Sequence, residues 1–155
     1  TAKSTLEEGW VQLFNGVSLK GWERSTKDGF WSVGRGVLKG IASGPKPYYG
    51  YSERTNFENF HLRMKAQLNP GGGGRITFRS KDNQIATGLG VALEHKNAGE
   101  LTVSAFNAKS AKKVIASKQA KIGPDHWFDL EIIANGQACE VKLDGVSVCV
   151  HTYAK

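Results

Sequence analysis

Between Trp127 and Tyr153 the chain runs through three alternating apolar stretches, joined by Asn135-Gly136 and Asp144-Gly145. Asn-Gly and Asp-Gly accept the positive φ angles of two-residue hairpin turns. Residues 127–134, 137–143 and 146–153 therefore read as a three-strand antiparallel meander. Such a meander has one apolar face and must bury it against another layer. Similar signals run through the rest of the chain, at 10–14, 30–33, 37–42, 48–52, 60–68, 75–79, 88–94, 101–106 and 113–117. No stretch sustains a 3.6-residue period. Nineteen glycines against four prolines supply turns without breaking strands. The sequence predicts an all-β fold of about eleven short strands and little helix, closed as a two-sheet antiparallel sandwich of jelly-roll type. A sandwich is preferred to a barrel because each alternating strand has one apolar and one strongly polar face.

The 155 residues, 39% hydrophobic and 23% charged, suit one globular domain rather than a disordered chain. Residues 1–8 read as a loose polar arm, and 9–155 as a single sandwich domain. No apolar run reaches the roughly 20 residues of a membrane span. The chain begins at Thr1 rather than Met, as a mature form or an excised domain would. The formal net charge of +7 favours an acidic partner. No helix-turn-helix, zinc-finger or RNA-recognition signature accompanies it, so a nucleic-acid partner is not expected. The densest basic cluster is Lys109, Lys112, Lys113, Lys118 and Lys121.

Two cysteines, Cys139 and Cys149, flank the Asp144-Gly145 hairpin. With a two-residue loop, Val141 faces Val148 and Cys149 falls opposite Glu140. The thiols then point to opposite sides of the sheet, and no disulfide forms unless a bulge shifts the register. No Cys/His spacing suggests zinc. No Asp-rich loop marks a calcium site, so no cofactor is expected beyond the structural calcium ion that sandwiches often carry.

Candidate site residues follow from the alternation. In 60–68, Phe60, Leu62, Met64, Ala66 and Leu68 take one face, which leaves His61, Arg63, Lys65 and Gln67 outside. In 75–79, Arg75, Thr77 and Arg79 lie outside; in 88–94, Gly90, Ala92 and Glu94; in 101–106, Thr102, Ser104 and Phe106. If these strands are neighbours, one polar face gathers His61, Arg63, Lys65, Arg79, Glu94 and Phe106, with a depression at Gly90 and Ala92. Arg and Glu read sugar hydroxyls as donors and acceptors. An exposed tyrosine from the run 48–51, Tyr49 among them, could stack on a sugar ring. The alternative is an ordinary solvated face with cross-strand ion pairs such as Arg79 with Glu94. Trp10, Trp31 and Trp127 fall on strand positions and read as core. Trp22 anchors its loop, His95 turns towards the core, and His126 and His151 default to the surface.

The segment Leu13-Phe-Asn-Gly-Val-Ser-Leu-Lys-Gly-Trp22 resembles "LFNGxxLxGW", the opening signature of the 3-keto-disaccharide hydrolase family. Later motifs match in order. The run Trp31–Leu38 is similar to "WxVxxGVL", Phe60–Leu68 to "FELRLEFRL", and Gly71–Arg79 to a glycine turn followed by "NSGIFLR". Residues 90–95 match "YEVQILD" loosely, and Trp127–Val148 resembles "WNxxEIxxxGxxIxxxLNGxxV". The resemblance covers residues 9 to 153 and implies a concanavalin A-like sandwich. It extends to small modules that bind terminal sugars through an Arg and acidic residues. His95 and Lys96 stand where the family pattern has an acid, and no ExDxxE glucanase pattern occurs. Three readings follow. The preferred one is a carbohydrate-binding module, for an acidic polysaccharide given the charge, within a larger extracytoplasmic protein; its ligand residues would be Arg63, Lys65, Arg79, Glu94, Phe106 and Tyr49. The second is a 3-keto-glycoside hydrolase or lyase, for which a single base, Glu94 or His61, suffices for elimination. The third is a structural module that binds protein.

Overall fold

Twelve strands and no helix account for the regular structure in a computed structural model, which describes residues 7–24, 30–41, 49–81, 88–95, 100–107 and 113–153. The chain divides into two compact units, Thr1–Asn56 and Phe57–Lys155. In the first, β1 (Trp22–Arg24) pairs antiparallel with β4 (Gly50–Ser52), and β2 (Trp31–Gly34) with β3 (Val37–Gly40). The β2–β3 turn places Arg35 and Gly36 at φ of 51° and 77°, the doubly positive geometry of a type I′ hairpin. Residues 10–14 form no strand, against the sequence expectation. Local bonds hold this stretch as loop: Asn15 Oδ1 accepts from the amides of Val17 and Ser18, each at 2.8 Å, and Trp22 Nε1 donates to Leu13 O at 2.8 Å. Trp22 thus anchors the loop while opening β1.

The second unit is the sandwich. One sheet has the order β12-β11-β10-β5 and the other β6-β7-β8-β9, with antiparallel pairing throughout. The first is built from β5 (Phe60–Ala66), β10 (Phe128–Asn135), β11 (Ala138–Leu143) and β12 (Val146–Thr152). The second uses β6 (Gly73–Phe78), β7 (Leu89–His95), β8 (Leu101–Asn107) and β9 (Lys113–Ala120). Inward residues alternate as the sequence predicts, except that Met64, expected on the buried face of β5, is 37% exposed. Leu130, Ile132, Val141 and Leu143 meet Val91, Leu93, Leu101 and Val103 in one buried cluster. Trp127 departs from expectation: it lies one residue before β10 and is 51% exposed, so it is not core.

The meander is present with two changes. Asn135 pairs with Ala138, so the first turn is Gly136-Gln137, with Gly136 at φ 56°. In the β11–β12 hairpin Lys142 pairs with Ser147 but Val141 with Cys149, leaving Val148 as the extra residue of a bulge. That slip turns Cys149 to the same inner face as Cys139, contrary to the opposed thiols the regular register predicts. Both cysteines are buried and free. The same slip buries His151, read from the sequence as a surface residue. It sits at 8% exposure with Nδ1 3.8 Å from Cys149 Sγ and its ring edge-on to Tyr153, centroids 4.4 Å apart. Tyr153, 2% exposed, closes the core by donating its hydroxyl to Gly90 O in the opposite sheet at 3.3 Å.

Burial sets the protonation of this cluster. Desolvation, reinforced by the neighbouring Cys149, pushes the Cys139 thiol up to about 11. Burial also raises Cys149 and Tyr153 and lowers His151. A raised acid in the native state makes the unfolded chain lose its proton first as pH rises, so stability falls from the ordinary thiol range near pH 8.5 towards about 11. A lowered histidine acts oppositely, and stability falls as pH drops below about 6.5. Urea midpoints should therefore peak between these limits. Replacing both cysteines by alanine should flatten the decline between pH 8.5 and 10; an unchanged alkaline limb would refute the assignment. Tyr153→Phe should cost about 1 kcal/mol at neutral pH.

Candidate functional site

The polar face predicted from alternation is split between the two sheets. β5 pairs with β10, not with β6, because the turn at Asn69–Gly72 carries the chain from one layer to the other. This turn is closed by Gly72 N donating to Asn69 O at 2.8 Å and pinned to the far sheet by His95 N donating to Gly72 O at 3.0 Å. His61, Arg63 and Lys65 consequently lie on the outer face of the first sheet, away from Glu94 and Phe106. There they meet acids of β10. His61 Nε2 is 2.6 Å from Glu131 Oε2, Arg63 Nε is 3.8 Å from the same oxygen, and Lys65 Nζ is 2.9 Å from Asp129 Oδ1. Such exposed pairs contribute little to stability, but they neutralise this face.

Arg79 departs from the alternation as well. β6 ends at Phe78, and Arg79 takes a left-handed backbone at φ 56°. Its side chain is spent on main-chain carbonyls. Nε and Nη2 donate to Glu58 O at 3.0 and 2.6 Å, and Nη1 donates to Gly136 O at 2.5 Å. The Gly136 amide in turn donates to Asn59 Oδ1 at 2.8 Å. Arg79 ties the end of β6 to the approach to β5 and the β10–β11 turn. Its donors are therefore directed to main-chain carbonyls rather than to Glu94, the partner the cross-strand alternative supposed.

What the fold does bring together is a set on the outer face of the second sheet. The register aligns Thr77, Gly90 and Phe106 in one row, Arg75, Ala92, Ser104 and Ser117 in the next, and Gly73, Glu94, Thr102 and Gln119 in the third. Phe106 is only 5% exposed although it points away from the core. Its ring lies flat on Gly90, where a Cβ would stand 2.4 Å from ring Cζ, so only glycine fits. The Arg75 guanidinium carbon lies 5.4 Å from the ring centroid, a cation–π contact that fixes a charge otherwise free to wander. Glu94 is diagonal to Arg75 across β6–β7, and diagonal neighbours are within reach of long side chains. Ser104 Oγ donates to Ser117 Oγ at 3.0 Å beside them.

Of the predicted ligand residues, then, Glu94 and Phe106 share a face. Phe106 is covered by Arg75 rather than presented as a stacking platform. Arg75, which alternation places outward, is the cation of this face, and Gly90, Ala92 and Ser104 beside it leave room for a ring and a guanidinium. Tyr49 belongs to the first unit, where its ring centroid is 6.4 Å from that of Tyr51 and raises the Tyr51 hydroxyl together with burial. His95 is buried as expected, with Nδ1 3.2 Å from Glu100 O. Among the described residues no group of three or more His, Cys, Asp or Glu could hold a metal, and no helix is long and apolar enough to cross a membrane.

Chemically this face offers one fixed cation, a row of hydroxyls and Glu94, the only carboxylate in the four strands. Ordinary glycosidase chemistry needs two carboxyl groups about 5–10 Å apart, which these strands do not supply. Gly90→Ala should displace the Phe106 ring and cost about 1–3 kcal/mol in urea unfolding, since the added carbon also meets Ile76 O at 2.8 Å. Arg79→Ala should cost about 2–3 kcal/mol through loss of its charged hydrogen bonds, and Arg79→Lys should recover little because lysine lacks the planar fork. A wild-type midpoint in either alanine variant would contradict the geometry.

Comparison with known proteins agrees with this architecture. A carbohydrate-binding module, CBM66, from Bacillus subtilis superposes with a TM-score of 0.70 at 20% identity, over 87% of this chain and 81% of that one. A glycosyl hydrolase candidate from Parabacteroides distasonis gives 0.66 at 17% identity, over 96% and 77%. At these identities the likeness establishes the fold. No curated protein matches by sequence. The family model described as a 3-keto-alpha-glucoside-1,2-lyase-like domain matches residues 9–155, and the chain belongs to that family.

Proposed function

We propose that the outer face of the β6–β9 sheet is a carbohydrate-recognition surface, with Arg75 and Glu94 as its principal ligand residues. The observation that carries this reading is the Arg75–Phe106–Gly90 stack beside Glu94. A guanidinium held on a ring keeps its N–H groups aimed without losing side-chain freedom on binding. Its donors meet sugar hydroxyl oxygens, and the Glu94 carboxylate accepts from sugar hydroxyls as an acid cannot from another acid. Ser104, Ser117 and Thr102 add both kinds of partner. Family membership supports a sugar-related role. The net charge of +7 favours an acidic polysaccharide, and the same proposal sets the domain within a larger extracytoplasmic protein.

A second reading rests on the lyase-like family and on one carboxylate lying diagonal to one fixed cation. A 3-keto glucoside has an acidified proton on C2. Glu94 would take that proton, the C2–H electrons would form the C1=C2 bond, and the aglycone would leave from C1 with its electron pair. Arg75 would stabilise the enolate oxygen as charge develops. Elimination requires one base, which is what the strands supply.

Both readings are open to direct measurement. Calorimetric titration with neutral and sulfated oligosaccharides should show binding that weakens at least tenfold in Arg75→Ala and in Glu94→Gln, with unchanged circular dichroism. Absence of binding to any glycan would remove the first reading. Release of aglycone from a 3-keto glucoside by the wild type, lost in Glu94→Gln, would establish the second over the first.

A further inference from the structure

β9 and β12 are edge strands in the order of their respective sheets and lie beside each other. A groove of about 310 Å³ lies between them, lined by Ala116, Ser117 and Lys118 from β9 and by Ser147, Val148, Cys149 and Val150 from β12. Two observations make this side different from the rest of the sandwich. The first concerns charge. On the outer face of the first sheet the cations are matched by acids: Lys65 by Asp129, Arg63 by Glu131 and Lys142 by Glu140. Residues 113–121 and 146–153 contain three lysines and no acid, and Lys118 forms no ion pair among the described residues. Lys118 pairs with Val103 in the ladder, so it sits at a core-facing position of an edge strand. It lines the groove together with Cys149 of the opposite sheet.

The second observation concerns what the edges expose. An edge strand presents unpaired N–H and C=O groups, and four consecutive residues of β12 line the groove. Val150 and Val146 are 68% and 65% exposed on the same strand. An inward-pointing lysine and a bulge in each edge strand guard against indiscriminate pairing. They do not remove the ladder.

We propose that this groove takes an extended, acidic peptide segment of a partner protein, which adds a strand to β12 and sets a carboxylate against Lys118. Strand addition uses main-chain bonds for affinity and alternate side-chain positions for specificity. Apolar residues of the segment would cover Val148 and Val150. A second copy of this chain is disfavoured, because a two-fold pairing of β12 edges brings like surfaces together, here the adjoining lysines of β9 in each copy of a chain with net charge +7. An acidic polysaccharide matches the charge but supplies neither the amide ladder nor the apolar side chains.

The test is an NMR titration of the ¹⁵N-labelled full chain with the capped heptapeptide Asp-Val-Asp-Val-Asp-Val-Asp. A second peptide with alternate amides N-methylated keeps the charge and cannot extend a ladder. Amide shifts should concentrate in residues 114–120 and 146–151. Affinity should fall at least tenfold in Lys118→Glu and at least threefold in Lys118→Gln, and the methylated peptide should bind at least tenfold more weakly. Equal binding of both peptides, shifts elsewhere, or shifts unaltered in Lys118→Glu would overturn the proposal. So would a sulfated oligosaccharide that perturbs the groove while the peptide does not, or light scattering that shows dimers through this edge. Arg75→Ala should leave the peptide titration unchanged, which separates this groove from the proposed sugar surface.

Discussion

Among the described strands no ladder joins the two sheets of the sandwich, so their alignment draws on polar links laid over the apolar core. The Arg79 guanidinium is the strongest. Three of its donors reach the carbonyls of Glu58 and Gly136, in segments that belong to the opposite layer. A charged hydrogen bond is worth roughly 1.5–3 kcal/mol, and these three are exposed and share one guanidinium, so together they contribute about that much. Apolar burial is non-directional and tolerates sliding; these bonds do not. Tyr153 makes a second link, from the end of β12 to Gly90 O.

Gly90 connects the interior with the candidate site. Its carbonyl accepts the Tyr153 hydroxyl, and its bare α-carbon carries the Phe106 ring on the other side. That ring carries Arg75. The cation of the outer face therefore rests, through one glycine, on the packing of the core. A side chain seated on strands in this way is held more narrowly than one on a loop.

Much of this was legible in the sequence. The positions of eleven of the twelve predicted strands, the sandwich, and the inward sets of β7 and β8 follow from period-2 alternation, which depends only on local geometry. Glu94 and Phe106 fell on one face for the same reason. Strand partnership is not local. Nothing in residues 60–68 states that their neighbour is 128–135 rather than 73–78, so His61, Arg63 and Lys65 were grouped with the wrong sheet. Arg79 was misplaced because the strand stops one residue before it and the left-handed backbone breaks the count. Cys149 and His151 were misplaced by one bulge residue. Each error has one origin: alternation propagates a face assignment until something interrupts the count, and the interruption leaves a weak trace in the sequence.

The bulge at Val148 has a consequence for how this hairpin tolerates change in length. On the turn side the pairing follows one sum of residue numbers, and beyond Val148 it follows a sum larger by one. Excising Val148 would make the two arms continuous, with Cys149 still opposite Val141 and His151 still opposite Cys139. Loss of a residue between 149 and 152 can be absorbed only by using up the same bulge, which turns the residues between Val148 and the deletion to the other face. One position in β12 is thus a slack link, where the chain can be shortened by one residue without rewriting either face.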